Sequence, residues 1–323
     1  MRHPHLHQWS IVVVLVSLLC ACTSLPMQTG SPGQSSLASA PRDIKSLHQR
    51  GLETIVELYR HYNSTAKDCG EANLPAVLCS GVLIRATENT PDGIAWDPSP
   101  SSITSGGTSF SWLRQDTNFS LIPVDRTSGF IFYPKLHTPP DKNGKIDVLC
   151  AFPNDGLTYM RDEQGCGIIP SYPDVSRPCD IQGITTAAQW FAMWDAAFDK
   201  MAQTCGFNIR PNAKDQADRF MQVILARAMI PDWAWIQWDE LRLATWQPGT
   251  GKDLPILAFF YGEGNAAGLA GARIDQQKYF DMFGQAIPIV RLSLPPAKGG
   301  RAQFSYSDDD QAVHAEGSRA IVR

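Results

Sequence analysis

The chain has 323 residues, a formal net charge of −4 and 43% hydrophobic residues. A nearly balanced charge with no lysine–arginine run excludes nucleic acid as the expected partner. Nine tryptophans supply enough bulk for a substantial core.

Residues 1–21 read as a lipoprotein signal peptide. Arg2 precedes the apolar run IVVVLVSLL at 11–19, which is shorter than the roughly 20 residues a membrane span needs. The following Leu19-Cys20-Ala21-Cys22 resembles a bacterial lipobox. That resemblance implies Cys22 as a lipidated first residue and the membrane as a partner through its lipid. The chain is then expected to be exported, as an outer-membrane lipoprotein or a secreted protein. Residues 22–42 are rich in Ser, Pro and Gly and read as a flexible tether. One folded domain is expected over 43–307. Residues 308–323, opening on Asp308, Asp309 and Asp310, read as a disordered tail.

Within the domain, the apolar spacing predicts a helix over 43–62, capped by Asp43. Strands are predicted at 81–87, 109–114, 129–134 and 147–153. A helix over 186–204 follows from Trp190, Phe191, Trp194, Phe198 and Met201, with Thr185 as cap. Another over 213–230 is stopped by Pro231. Strands at 240–246, 254–261, 288–294 and 302–306 complete the set. The irregular order points to an α+β fold: a mixed, largely antiparallel sheet with about three main helices. The glycine-rich segment 262–271 (GEGNAAGLAG) looks like a dinucleotide fingerprint. Too little regular chain follows it for a doubly wound unit, so it reads as a surface loop.

Apart from Cys20 and Cys22, six cysteines remain: Cys69, Cys79, Cys150, Cys166, Cys179 and Cys205. An even set in an exported chain reads as disulfides. Sequential pairing, Cys69–Cys79, Cys150–Cys166 and Cys179–Cys205, closes three short loops that contain turn residues. This pattern argues against catalytic thiols. No metal site is expected, because there is no Cys-x-x-Cys pair and His48, His61, His137 and His314 are scattered.

Three stretches carry candidate chemistry. CSGVLIRAT at 79–87 places Arg85 inside an apolar strand. SGGTSFSW at 105–112 leads a glycine turn into a hydroxyl-rich strand. WDELRLAT at 238–245 opens a later strand with Glu240. Arg, then a Ser/Thr-rich strand, then Glu resembles the pattern of ADP-ribosyltransferases and NAD glycohydrolases. With VLCAFP added, these strings look like the halovibrin family of secreted bacterial proteins over most of 43–306.

The resemblance implies an ADP-ribosyltransferase-like fold and cleavage of NAD at the nicotinamide–ribose bond. NAD would be a consumed substrate rather than a cofactor. Arg85, Ser109 and Glu240 would be the central residues. Arg85 suits a phosphate, through its fork of donors. Glu240 suits the ribose and the positive charge that develops on it. Thr87, Gly107, Thr108, Phe110 and Ser111 would line the substrate. The acceptor would be water or a protein side chain. The residue two before Glu240 is Trp238, where arginine-modifying transferases carry an acid, and Asp239 should point to the other face.

Structural readings compete. Arg85 and Glu240 suit a plain ion pair, as do Glu240 and Arg242. A second function class is a non-enzymatic envelope lipoprotein that binds a glycan or protein through Trp233, Trp235, Trp238 and Trp246.

Overall fold

The computed structural model describes residues 47–69, 75–87, 93–123, 126–132, 147–210, 213–227, 238–296 and 299–313. The expected signal peptide, Cys22, the tether, and the start of the first helix lie outside these residues, as do Trp233 and Trp235.

The fold is α+β. Its centre is a nine-stranded mixed sheet in the order β5-β4-β6-β2-β1-β3-β7-β8-β9. The strands are β1 (Val82–Ala86), β2 (Gly107–Leu113), β3 (Ser128–Phe132), β4 (Val148–Phe152), β5 (Phe207–Asn208), β6 (Glu240–Ala244), β7 (Ile256–Gly262), β8 (Ile289–Ser293) and β9 (Gln303–Ser305). Among the described residues five α-helices accompany them: α1 (Leu47–Tyr62), α2 (Pro100–Ser105), α3 (Ala187–Ala196), α4 (Lys214–Arg227) and α5 (Ala266–Phe283). All strand pairs are antiparallel except β7 with β8.

Strand alternation builds two apolar layers from one sheet. Leu83, Phe110, Trp112, Phe130, Phe132, Leu241, Leu243 and Phe259 join one cluster with Trp190, Phe220 and Tyr279 of α3, α4 and α5. Val82, Ile84, Leu113, Ile131, Phe260, Val290 and Leu292 join the other with Leu58 and Tyr62 of α1 and Phe304 of β9. Each fully buried large side chain contributes about 1.5–3 kcal/mol, so the sheet is anchored from both sides.

The three disulfides follow the sequential pairing, Cys69–Cys79, Cys150–Cys166 and Cys179–Cys205. They fit an oxidising environment. Among the described residues no helix is long and apolar enough to cross a membrane.

Three expectations are corrected. The helix expected over 186–204 stops at Ala196; Ala197 turns extended (φ −64°, ψ 131°), and its cap is Thr186 in a capping box with Gln189. Asp199 ends it by offering its carboxylate to the N–H groups of Met201 and Ala202, 3.1 and 3.0 Å away, which favours a turn over a helix. Phe198 is left 78% exposed.

The glycine-rich segment is the start of α5 rather than a surface loop. Asn265 caps it by accepting from Gly268 N at 2.8 Å, and β7-α5-β8 forms a parallel crossover. A Cβ at Gly268 would run into the Thr127 carbonyl, so glycine here serves close packing. Finally, the first part of the expected tail, 308–313, packs on the sheet, while 314–323 lie outside the described residues. Asp310 accepts from Tyr261 Oη at 2.8 Å, and Gln311 bonds both N and O of Ile289. Buried donors on β7 and β8 hold a segment that its charge marked as solvated.

Candidate active site

The site lies where the sheet forks. The ladder between β1 and β2 covers only Val82↔Leu113, Leu83↔Trp112 and Ile84↔Ser111. Beyond that point β1 stays with β3 as far as Ala86↔Gly129, and β2 stays with β6 as far as Gly107↔Ala244. Arg85 stands in the opening. Its Nη1 donates to the Ser109 carbonyl at 2.9 Å, and its guanidinium lies 5.9 Å from the Phe110 ring centre. Its buried Nε has no partner. Burial and the nearby Arg242 cation lower its pKa to about 10, so it stays charged at neutral pH.

Arg242 of β6 sits deeper, 3% exposed. It donates from Nε to the Gln164 carbonyl at 2.9 Å, from Nη1 to Ser109 Oγ at 2.8 Å and from Nη2 to Ser105 Oγ. Gly107 leaves room for it: a Cβ there would strike the guanidinium and the Gln164 carbonyl.

Ser109 then passes the connection on. Its hydroxyl lies 3.0 Å from Thr158 Oγ1, and Thr158 donates to Glu240 Oε1. The other carboxylate oxygen, Oε2, accepts from Gly156 N at 2.9 Å. A chain of hydrogen bonds therefore runs from Arg242 through Ser109 and Thr158 to Glu240. Arg85 and Glu240 do not form an ion pair, nor do Glu240 and Arg242, so neither of the competing structural readings is realised.

The loop between β4 and Cys166 supplies both donors to Glu240. Cys150–Cys166 ties its ends. Arg161, 5% exposed, clips it by donating to the carbonyls of Gly156, Gly167, Ser176 and Thr204. All three non-glycine residues with positive φ among the described residues fall here: Leu157 (φ 50°), Glu163 (φ 47°) and Gln164 (φ 63°). Such conformations cost of order 1 kcal/mol or more each and persist where the surroundings enforce them. The loop also carries Asp155, whose Oδ1 accepts from Leu157 N at 2.9 Å. Burial first, and the Glu240 charge second, push the Asp155 pKa up to about 6.

Two cavities share the fork. A chamber of about 180 Å³ is lined by Arg85, Ser109, Phe110, Ser111, Asp155, Thr158, Tyr159, Trp238 and Glu240, among others. A wider cavity of about 690 Å³ is lined by Arg85, Thr87, Ser109, Arg126, Tyr159, Arg242 and the Ser99–Ser102 turn, among others. Arg85, Ser109 and Tyr159 belong to both. The buried Thr87 Oγ1 has no partner. The two volumes together suit a ligand of nucleotide or dinucleotide size, with Arg126, Arg242 and Asp97 along the wider cavity, Asp155 and Glu240 in the chamber, and Arg85 shared between them.

Of the residues expected to line substrate, Thr87, Phe110 and Ser111 do line these cavities. Gly107 and Thr108 do not. Gly107 makes space for Arg242, and Thr108 bonds Thr245 Oγ1 at 3.1 Å, because it alternates away from Ser109 along β2. Asp239 points away from Glu240: it is fully buried and accepts from Trp112 N at 2.7 Å.

Trp238 is half-buried in the chamber wall. Trp246 packs against Phe110 and Phe132 and donates to the Trp96 carbonyl at 2.9 Å. Asp155, Thr158, Tyr159 and Arg242 were not expected in the site. The first three sit in an irregular loop whose one sequence signal is its bracketing cysteines; Arg242 sat in view as a second arginine inside a strand. Among the described residues no group of three or more His, Cys, Asp or Glu is placed to hold a metal ion. No protein-family model and no curated protein matches the chain.

Proposed function

We propose that this is an exported enzyme that cleaves NAD at the nicotinamide–ribose bond, as its resemblance to halovibrin-like proteins and ADP-ribosyltransferases implies. One observation carries the reading. Arg85, Ser109 and Glu240, drawn from three strands, line a single chamber in the fork. The cationic side of the wider cavity suits the pyrophosphate. Arg85 and Thr87 both line that cavity, and the Arg85 guanidinium supplies the charge for a phosphate oxygen.

The nicotinamide ribose then enters the chamber. As its glycosidic bond stretches, positive charge gathers on the sugar. Glu240 meets that charge with a carboxylate whose two oxygens are already fixed by Gly156 N and Thr158 Oγ1. Fixed charge of this kind needs little reorganisation during reaction. Tyr159, 70% exposed, offers a ring face at the mouth on which a planar base can stack. Lipidation at Cys22 would hold the domain at an outer membrane, and release or surface display would bring it to NAD.

The test is release of free nicotinamide when the purified protein meets NAD. Glu240→Gln keeps the shape and removes the charge. It should lower the rate by about 10²–10³-fold with the fold retained. Equal rates in both proteins would take Glu240 out of the reaction.

A further inference from the structure

We infer that Asp155 is the general base of this site and that the acceptor it activates is water, an inference that rests on the NAD-cleaving reading above. The two carboxylates of the chamber differ in how they are held. Both oxygens of Glu240 accept strong donors, one from a hydroxyl and one from a backbone N–H. Asp155 uses only Oδ1, on Leu157 N. Its Oδ2 takes no hydrogen bond from the described residues. Glu240 is therefore built as a fixed negative charge, and Asp155 as an oxygen with a free lone pair beside it.

The charged groups around Asp155 agree with that division. Glu240 approaches from β6, Arg161 from the same loop and Arg85 from β1 across the chamber. Burial and Glu240 raise the Asp155 pKa to about 6, while Arg161 and Leu157 N pull it the other way. A base poised close to neutral pH removes a proton more effectively than one with an ordinary carboxyl pKa. The neighbouring carboxylate separates the two roles, as paired acids in one pocket commonly do.

Placement selects the acceptor. Asp155 lines the chamber beside Glu240, and its unengaged Oδ2 can hold a water, which needs only about 10–15 Å³ of such space, next to the sugar. In the reaction, the water oxygen forms a bond to the anomeric carbon as the bond to the nicotinamide nitrogen breaks. The bonding pair leaves with nicotinamide, which departs neutral. The water proton passes to Asp155 Oδ2 and then to solvent.

The experiment compares wild type, Asp155→Asn and Glu240→Gln for nicotinamide release across the range around pH 6, with NAD binding followed by tryptophan fluorescence. Wild-type kcat/KM should fall on the acid side with an ionisation near pH 6. Asp155→Asn should bind NAD normally, lose about 10²–10⁴-fold in rate and lose that acid limb. An Asp155→Asn protein with the wild-type rate and pH profile, alongside an inactive Glu240→Gln, overturns the inference and leaves the reading intact. If Asp155→Asn does not fold, the wild-type profile decides, and a rate that is flat through pH 6 overturns the assignment. No nicotinamide release by wild type removes the reading and this inference together.

Discussion

Opening the Cys150–Cys166 bridge with the double substitution Cys150→Ala, Cys166→Ala should separate stability from catalysis in a way that tests the site directly. The bridge joins residues 16 apart. Closing a loop of that length removes about 3 kcal/mol of chain entropy from the unfolded state. For a domain of this size that corresponds to a fall in Tm of about 6–12 °C. The closed loop, however, is the one that brings Gly156 N and Thr158 Oγ1 to Glu240 and holds three residues at positive φ. Free of the bridge, it can relax that backbone and withdraw both donors.

A hydrogen bond to a charged group contributes about 1.5–3 kcal/mol. Losing two implies about a 10²–10⁴-fold fall in nicotinamide release, measured well below Tm. The control is Cys69→Ala, Cys79→Ala. That bridge spans 10 residues and carries about 2.7 kcal/mol by the same relation, but neither its cysteines nor the described residues 75–78 of its loop line either cavity. Near-UV circular dichroism gives both Tm values, and nicotinamide release gives the rates. If the two double variants lose activity equally, or if the first loses Tm and keeps its full rate, the loop does not position Glu240 as argued.

Two smaller perturbations bear on the same geometry. Thr158→Val keeps the shape, removes the link between Ser109 and Glu240, and should lower the rate by about 10-fold or more, in line with one lost charged hydrogen bond; an unchanged kcat would show that the link is idle. Asp239→Asn tests the opposite face by pH. Burial raises the Asp239 pKa to about 7, whereas an unfolded Asp titrates near 3.9 on the order of model peptides. The wild type therefore loses stability from this group as pH rises between those values and levels off above them. The Tm of Asp239→Asn should gain on the wild type across that window while nicotinamide release persists; a constant Tm difference would contradict the assignment.

The strands were legible because their apolar runs are short, β-branched and bounded by turns. Eight of nine were expected close to where they lie, and β5 was missed because two residues carry no period. Arg85 stood out for a physical reason: a cation amid Leu83 and Ile84 needs a partner. The helices misled where one residue overruled the pattern. Asp199 ends α3 through its own side chain, and Gly268 hides α5 because close packing against Thr127, not flexibility, demands it. Half of the site was invisible. Gly156 and Thr158 reach Glu240 in a loop that Arg161 clips through four carbonyls, those of Ser176 and Thr204 being 15 and 43 residues away, and no local pattern encodes that. Thr108 was expected beside Ser109 for its chemistry, but strand alternation sends it away.

The three-rung ladder at the root of the fork has a metrical consequence. Arg85 rides on one prong, with β1 and β3, and Glu240 and Arg242 ride on the other, with β2 and β6. The angle between the prongs thus gauges the span between the two ends of whatever is bound, like the jaws of a caliper. On the NAD-cleaving reading, a molecule too short to touch both jaws would gain only half of the grip, so length itself would decide what is held.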